Sequence, residues 1–327
     1  MKNGKEKSMF VREYLWRDLM TVCGLFVILL TIVIGAFLVY KGSATFLVYK
    51  HSFLEFLGSA DWAPEDNMTG GGSIGALIFI VGSLCTCGLA LLIATPFSLG
   101  SAIFITEISP KFGEKFYRPV VESFAGIPSV VYGWVGLTVL VPAIKNVFDR
   151  QVGHSILAAG LVLAVMIFPT ITSVAADALH SVPKECRMAA YGLASTRWQT
   201  IYRIVVPAAA PSIISGIILG LARAFGEALA VAMVIGQTTA LPTSIFSTTK
   251  TLTTEIAAQM GNAMEGGEMK CALWTMALLL FAISLFFIFL IHHVTAVKPE
   301  KEEKTSTSVK ISTTAVPVKQ FAAKGEN

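Results

Sequence analysis

Six apolar stretches divide this chain, and each is long enough to cross a lipid bilayer: residues 21–40, 75–105, 119–144, 156–176, 211–236 and 272–294. About 20 residues at 1.5 Å rise cover a hydrocarbon core of roughly 30 Å. With no water in that core, backbone N–H and C=O groups must be satisfied internally, which leaves helices or closed barrels. Barrel strands show short alternating patterns, whereas these are continuous runs. The expected class is all-α, a polytopic membrane protein with six transmembrane helices. Only 14% of the 327 residues are charged, against about 25% in a typical soluble domain. The second stretch is overlong and contains Pro96, so a kink is expected there, with the part after it leaving the core. The first is too long for the apolar region of a cleaved signal peptide, and no small-residue cleavage site follows it.

Lysine and arginine set the orientation. Segments 1–20, 106–118, 177–210 and 295–327 hold 18 of the 25 Lys and Arg residues, while 41–74, 145–155 and 237–271 hold six. The bias places both termini of this multi-pass membrane protein in the cytoplasm. The net charge of +4 is small and the basic residues sit at span ends. Membrane lipid, not nucleic acid, is the expected contact. The chain divides into an N-terminal cytoplasmic segment (1–20), a first helix with an outer segment (21–70), a transmembrane domain (71–294) and a tail (295–327). The tail is rich in Lys, Glu, Ser and Thr and is expected to be disordered. In the outer segment 43–61, Phe46, Tyr49, Phe53, Phe56 and Leu57 recur at helical spacing, which predicts a short helix at the outer interface. Residues 61–73 read as a turn-rich connection. Asn67-Met68-Thr69 matches a glycosylation acceptor, a three-residue pattern too short to carry weight.

The five cysteines lack metal-ligand spacing and are odd in number, so neither a metal site nor a disulfide framework is expected. Phosphate-binding loops, zinc-protease motifs and a defensible Ser–His–Asp pattern are all missing, so no catalytic residue is assigned.

One charge stands where a charge is costly. Arg223 is the thirteenth of the 26 residues in 211–236, and Glu227 follows four residues later. A bilayer-centre Arg costs about 2.5–3.5 kcal/mol on insertion scales and faces a protein interior or a wet path. If the helix is continuous, Arg223 and Glu227 share a face and can pair. Two readings stand side by side: a path-lining cation tempered by Glu227, and a self-satisfied ion pair that orders packing. In the third stretch, Gly126 and Pro128 are expected to break or kink the helix. Ser129 and Tyr132 beyond them either line a path or fix packing. Glu122, Asp177, His292 and His293 read as interfacial groups.

Residues 181–211 (SVPKECRMAAYGLASTRWQTIYRIVVPAAAP) read as helix, turn, helix, bounded by Pro183 and Pro207. A connection this long needs a partner or a packing role. Ala189, Ala190, Ile204 and Pro207 match the coupling motif of type I ABC importer permeases, E-A-A-x3-G-x9-I-x-L-P, in identity and spacing. Val206 replaces the Leu, Met188 stands at the Glu position and Ala194 at the Gly position, with Glu185 and Gly192 nearby as substitutes. AGIPSVVYG at 125–133, ARAFGE at 222–227, the glycines of 71–75 and Glu107-Ile108-Ser109-Pro110 extend the resemblance. Together they resemble the phosphate-specific (Pst) importer permeases. The aromatic outer segment and TLTTEIAAQMG at 251–261 are similar to the C-type subunit.

The resemblance, over about residues 15–294, implies the type I ABC importer permease fold. It implies a separate ATPase dimer, which carries ATP and magnesium, docked on the loop through Ala189, Ala190, Gly192, Arg197, Trp198 and Pro207. It also implies a homologous A-type permease and an extracytoplasmic phosphate-binding protein. This chain would hold no cofactor, and Arg223, Glu227, Ser129 and Tyr132 would line the substrate path. Other readings are a permease for sulfate or molybdate and an autonomous carrier or channel. The coupling-like loop speaks against the carrier, and so does the lack of an internal repeat.

Overall fold

The computed structural model describes residues 2–295, with side chains for 16–294. The tail expectation falls on 296–327, outside the described residues. The order is α1 (Lys2–Leu47), α2 (Phe53–Gly58), β1 (Trp62–Ala63), β2 (Ser73–Ile74), α3 (Leu77–Ile103), α4 (Pro110–Phe112), α5 (Arg118–Ala125), α6 (Ser129–Val135), α7 (Val141–Val147), α8 (Ile156–Ser181), α9 (Lys184–Gly192), α10 (Arg197–Thr200), α11 (Val206–Gly226), α12 (Leu229–Val234), α13 (Leu252–Gln259) and α14 (Glu268–Thr295). Short π-helical turns extend α3 through Ile108, lead into α5, join α6 to α7 and join α10 to α11. Six helical segments are long and apolar enough to cross a membrane: Trp16–Leu47, Leu77–Ile108, Ser129–Val147, Ile156–Ser181, Arg197–Gly226 and Glu268–Val294.

Helix α8 is the centre, packed against α3 on one side and α11 on the other. Its buried faces carry Ala158, Ala159, Gly160, Ala164, Ala175 and Ala176. Such small side chains let helix backbones approach closely where lipid supplies no hydrophobic drive for association. Helix α1 lies at the edge against α14. Phe37 meets Trp274 edge to face at 5.2 Å, and the Thr45 and Thr275 hydroxyls lie 2.7 Å apart.

Helix α3 continues through Pro96, and the segment after it stays packed, with Ser98, Ala102 and Ile105 buried. Within residues 43–61 the expected short helix is present as α2, Phe53–Gly58. α1 runs on to Leu47, the chain turns with Lys50 at φ 57°, and α2 then turns Phe56 inward, where it is 1% exposed beside Ile74 and Phe79. The turn-rich connection holds the two-residue hairpin β1–β2, Trp62 opposite Ile74. Its glycines are fixed by Glu268, whose carboxylate accepts the N–H groups of Gly71 and Gly72 at 3.1 and 3.0 Å and His51 Nε2 at 2.7 Å.

Two of the six apolar stretches are broken. The third stops at Ala125 and resumes at Ser129, as the Gly126 and Pro128 signals predict. The fifth span starts earlier than its apolar run, at Arg197, and ends at Gly226 before the chain resumes as α12. The resumed halves, α6 and α12, pack together. Gly133 permits this contact: a Cβ there would lie 2.8 Å from the Ala230 Cα and 2.9 Å from the Met233 Sδ. Gly126, where a Cβ would come only within 3.4 Å of Ser123 O, carries no such restriction. Gly133→Ala should therefore destabilise the purified protein by about 1–3 kcal/mol through overpacking. Gly126→Ala should stay within about 0.5 kcal/mol of wild type. Thermal unfolding in detergent measures both.

Candidate translocation site and coupling loop

Arg223 lies in the last turn of α11, half-buried and facing α8. Its Nη1 donates to Thr170 Oγ1 at 2.8 Å. Thr170 follows Pro169 in the interior of α8, so the cation is held well inside the bundle. The expected pair with Glu227 is not made. The helix ends at Gly226, and Glu227 turns extended with φ −79° and ψ 124°, which removes the shared face that i,i+4 spacing would give. The Glu227 carboxylate instead accepts the Ala230 N–H at 3.2 Å in the first turn of α12. Its carbonyl accepts from Thr253 Oγ1 at 2.8 Å, which ties the break to α13. Among the described residues, neither Arg223 nor Glu227 joins an ion pair. Glu227 shapes the break and does not neutralise the arginine.

Tyr132 answers the other break. Its hydroxyl donates 2.7 Å to Phe124 O, a carbonyl that also accepts the Ile127 N–H at 3.2 Å and whose i+4 residue, Pro128, has no N–H to give. Ser129 opens the resumed helix and is half-buried. The structure thus brings Arg223 and Thr170 together and uses Tyr132 and Glu227 to hold the two breaks. Thr170 and Thr253 were not assigned roles from the sequence: Thr170 is a lone hydroxyl on an apolar helix, and Thr253 is one of three threonines in TLTTE with nothing to single it out.

The loop 181–211 forms helix, turn, helix. Pro183 caps α9 as expected. Pro207 is not a boundary, because it sits in the first turn of α11 within one helical run from Arg197. Thr196 and Gln199 form a reciprocal capping box that starts this run. Gly192 remains at the helical end of α9, and the turn is made by Ala194 at φ 58°. The position where the family motif has Gly therefore adopts the left-handed conformation that glycine takes at least cost. Of the predicted docking residues, Ala189, Gly192, Arg197, Trp198 and Pro207 are exposed, while Ala190 is 2% exposed and packs inward. Met188, Leu193 and Trp198 form an exposed apolar group around the turn. Arg197 points back into the protein, its Nη2 donating to the carbonyls of Glu107 and Ile108. Arg187, not singled out in the sequence, does likewise through Glu107 at 2.7 Å. At the same end, Arg118 joins the predicted interfacial acids, Glu122 at 2.9 Å and Asp177 at 2.8 Å.

Residues 94–296 match the family described as binding-protein-dependent transport system inner membrane component. The chain belongs to this family. It is 48% identical over 280 residues to the probable ABC transporter permease protein YqgH of Bacillus subtilis, covering 86% of this chain and 90% of that one. It is 36% identical over 291 residues to the phosphate transport system permease protein PstC of Pasteurella multocida, covering 83% and 88%. In fold it is similar to a chain of a solved bacterial alginate ABC transporter, with TM-score 0.57 and 18% identity, covering 86% and 96%. The type I ABC importer permease fold expected from the sequence is the one observed. This family member is an inner-membrane component of a transport system, built of six spans with a structured loop between the fourth and fifth.

Because a left-handed non-glycine residue costs roughly 1–2 kcal/mol, Ala194→Gly should relax the turn of this permease. Slower hydrogen exchange at the amides of residues 193–195, or a raised Tm of the purified protein, is the expected outcome.

Proposed function

We propose that this chain is a permease subunit of an ATP-driven importer and moves inorganic phosphate across the inner membrane. Phosphate is a strongly hydrated anion, and its water must be replaced by donors and positive charge before it crosses a low-dielectric barrier. The observation that carries the reading is Arg223, a guanidinium in the last turn of α11, bound to a neutral hydroxyl and not to a carboxylate. A planar fork that stays charged at any physiological pH suits a tetrahedral oxyanion. Its net charge is available to a passing anion because Glu227 is spent on the helix break. A single such contact keeps binding weak, which a conduit needs if the ion is to leave. Similarity to phosphate transport system permeases supports the choice of substrate.

ATP and its magnesium belong to an ATPase dimer, which takes the exposed group at Met188, Leu193 and Trp198 into a groove. No hydrolytic step is assigned to this chain. A homologous A-type permease completes the path, and an extracytoplasmic phosphate-binding protein delivers the ion at the opposite end. Both termini then lie in the cytoplasm, in line with the distribution of Lys and Arg.

In proteoliposomes holding the assembled transporter, Arg223→Gln should cut phosphate uptake at least about tenfold, the effect of a transition-level interaction worth roughly 1.4 kcal/mol. Arg223→Lys should retain part of it, because the charge survives while the fork is lost. Normal uptake by the Gln form would overturn the assignment, and uptake of sulfate in place of phosphate would redirect it.

A further inference from the structure

Glu107 stands at the end of the second span, in the π turn Phe104–Ile108, with its side chain 10% exposed. In the sequence it belongs to a motif of no evident role. In the structure it is the point where the loop 181–211 grips the second span. Arg187 on α9 donates to one Glu107 carboxylate oxygen through Nε at 3.2 Å and Nη2 at 2.7 Å. The same guanidinium donates to Leu179 O at 2.8 Å and to Val182 O at 2.5 Å, carbonyls at the C-terminal end of α8, the first of which also accepts the Val182 N–H at 3.4 Å. One side chain thus joins the second span, the fourth span and the coupling helix.

Arg197, on the other side of the turn, holds the main-chain carbonyls of Glu107 and Ile108. Beside these contacts lies a polar cleft of about 400 Å³, lined by Glu107, Glu114, Lys184, Arg187 and Arg197 among others. It leaves α9 room to tilt about the grip. The π turn adds local slack, since its carbonyl–amide spacing is one residue wider than in an α-helix: Ser109 N donates to Phe104 O at 3.0 Å.

We propose that the Glu107–Arg187 ion pair is the link that makes the second span move with the coupling loop, so that ATP hydrolysis is converted into opening of the path. Both residues are positioning residues, since neither touches the transported ion. The inference rests on the ATP-coupled reading above. A rigid charge-assisted fork transmits displacement, where an apolar contact would slide. Breaking the charge at Glu107 leaves the two Arg197 bonds in place, because they go to backbone carbonyls. The loop should therefore still present its outer face to the ATPase while losing its hold on the second span's side chain.

Phosphate accumulated and ATP hydrolysed are measured together in proteoliposomes of the full transporter. For Glu107→Gln the ATPase should still co-purify, and the phosphate moved per ATP should fall roughly tenfold, a typical size for coupling between sites. Glu107→Asp, which keeps the charge, should recover part of that ratio. An unchanged ratio in the Gln form, or transport and hydrolysis falling in proportion, would overturn the link. If the Gln form does not assemble, Arg187→Gln decides, because it removes the other charge of the same pair. A lowered ratio supports the proposal and a normal one ends it. Wild-type transporter that hydrolyses ATP without taking up phosphate would instead refute the reading of function.

Discussion

Where a helix crossing an apolar medium is interrupted, its freed backbone groups must find partners inside the protein, since each orphan costs several kcal/mol. This permease breaks its helices just before the third span and just after the fifth, and side chains bond to backbone groups at each break. At 126–128 the Tyr132 hydroxyl reaches back eight residues to Phe124 O. At 227–228 the Glu227 carboxylate takes the Ala230 N–H while Thr253 takes the Glu227 carbonyl. The resumed halves then pack backbone to backbone at Gly133 and Ala230. Everything proposed for the path depends on these breaks, because they end α11 beside Arg223 and take Glu227 away from it.

The electrostatic consequence is direct. An arginine paired one turn along the same helix would be a closed structural element with little field left over. An arginine bound to Thr170 alone among the described residues keeps its charge. The same helix run reaches back without interruption to Arg197, at the start of the coupling segment. The loop and the cation are therefore joined by one helical run, which passes through the π turn Ile201–Val205.

The coupling loop divides its residues by face. Trp198, Leu193 and Met188 are left to solvent, while Arg187, Arg197 and Ala190 are turned inward. The inward arginines spend their hydrogen bonds on helix ends, where carbonyls and a partial negative charge await a cation. The outward side sets the apolar Met188, Leu193 and Trp198 among exposed polar groups such as Lys184, Glu185 and Gln199, as suits a surface that docks on a partner. The Ala194 turn between the helices carries the strain that a glycine would relieve.

Six spans, the helical class, the break at Gly126 and Pro128, and the helix–turn–helix of 181–211 were all legible in the sequence. They follow from local causes: run length, proline and glycine chemistry, and caps such as Thr196 with Gln199. The resemblance carried by a few short motifs gave the family. The partners of the charges were not legible. Spacing placed Glu227 on the face of Arg223, and a second break removed it. Composition offered Arg197 as a surface anchor, and the carbonyls of Glu107 and Ile108 claimed it. Residue 107 meets residue 187 only after two spans have crossed, and Thr170 meets Arg223 only across a helix interface. Sequence determines which segments must be helical, because that depends on neighbours along the chain. Only tertiary structure decides which charges remain unpaired, because that depends on neighbours in space.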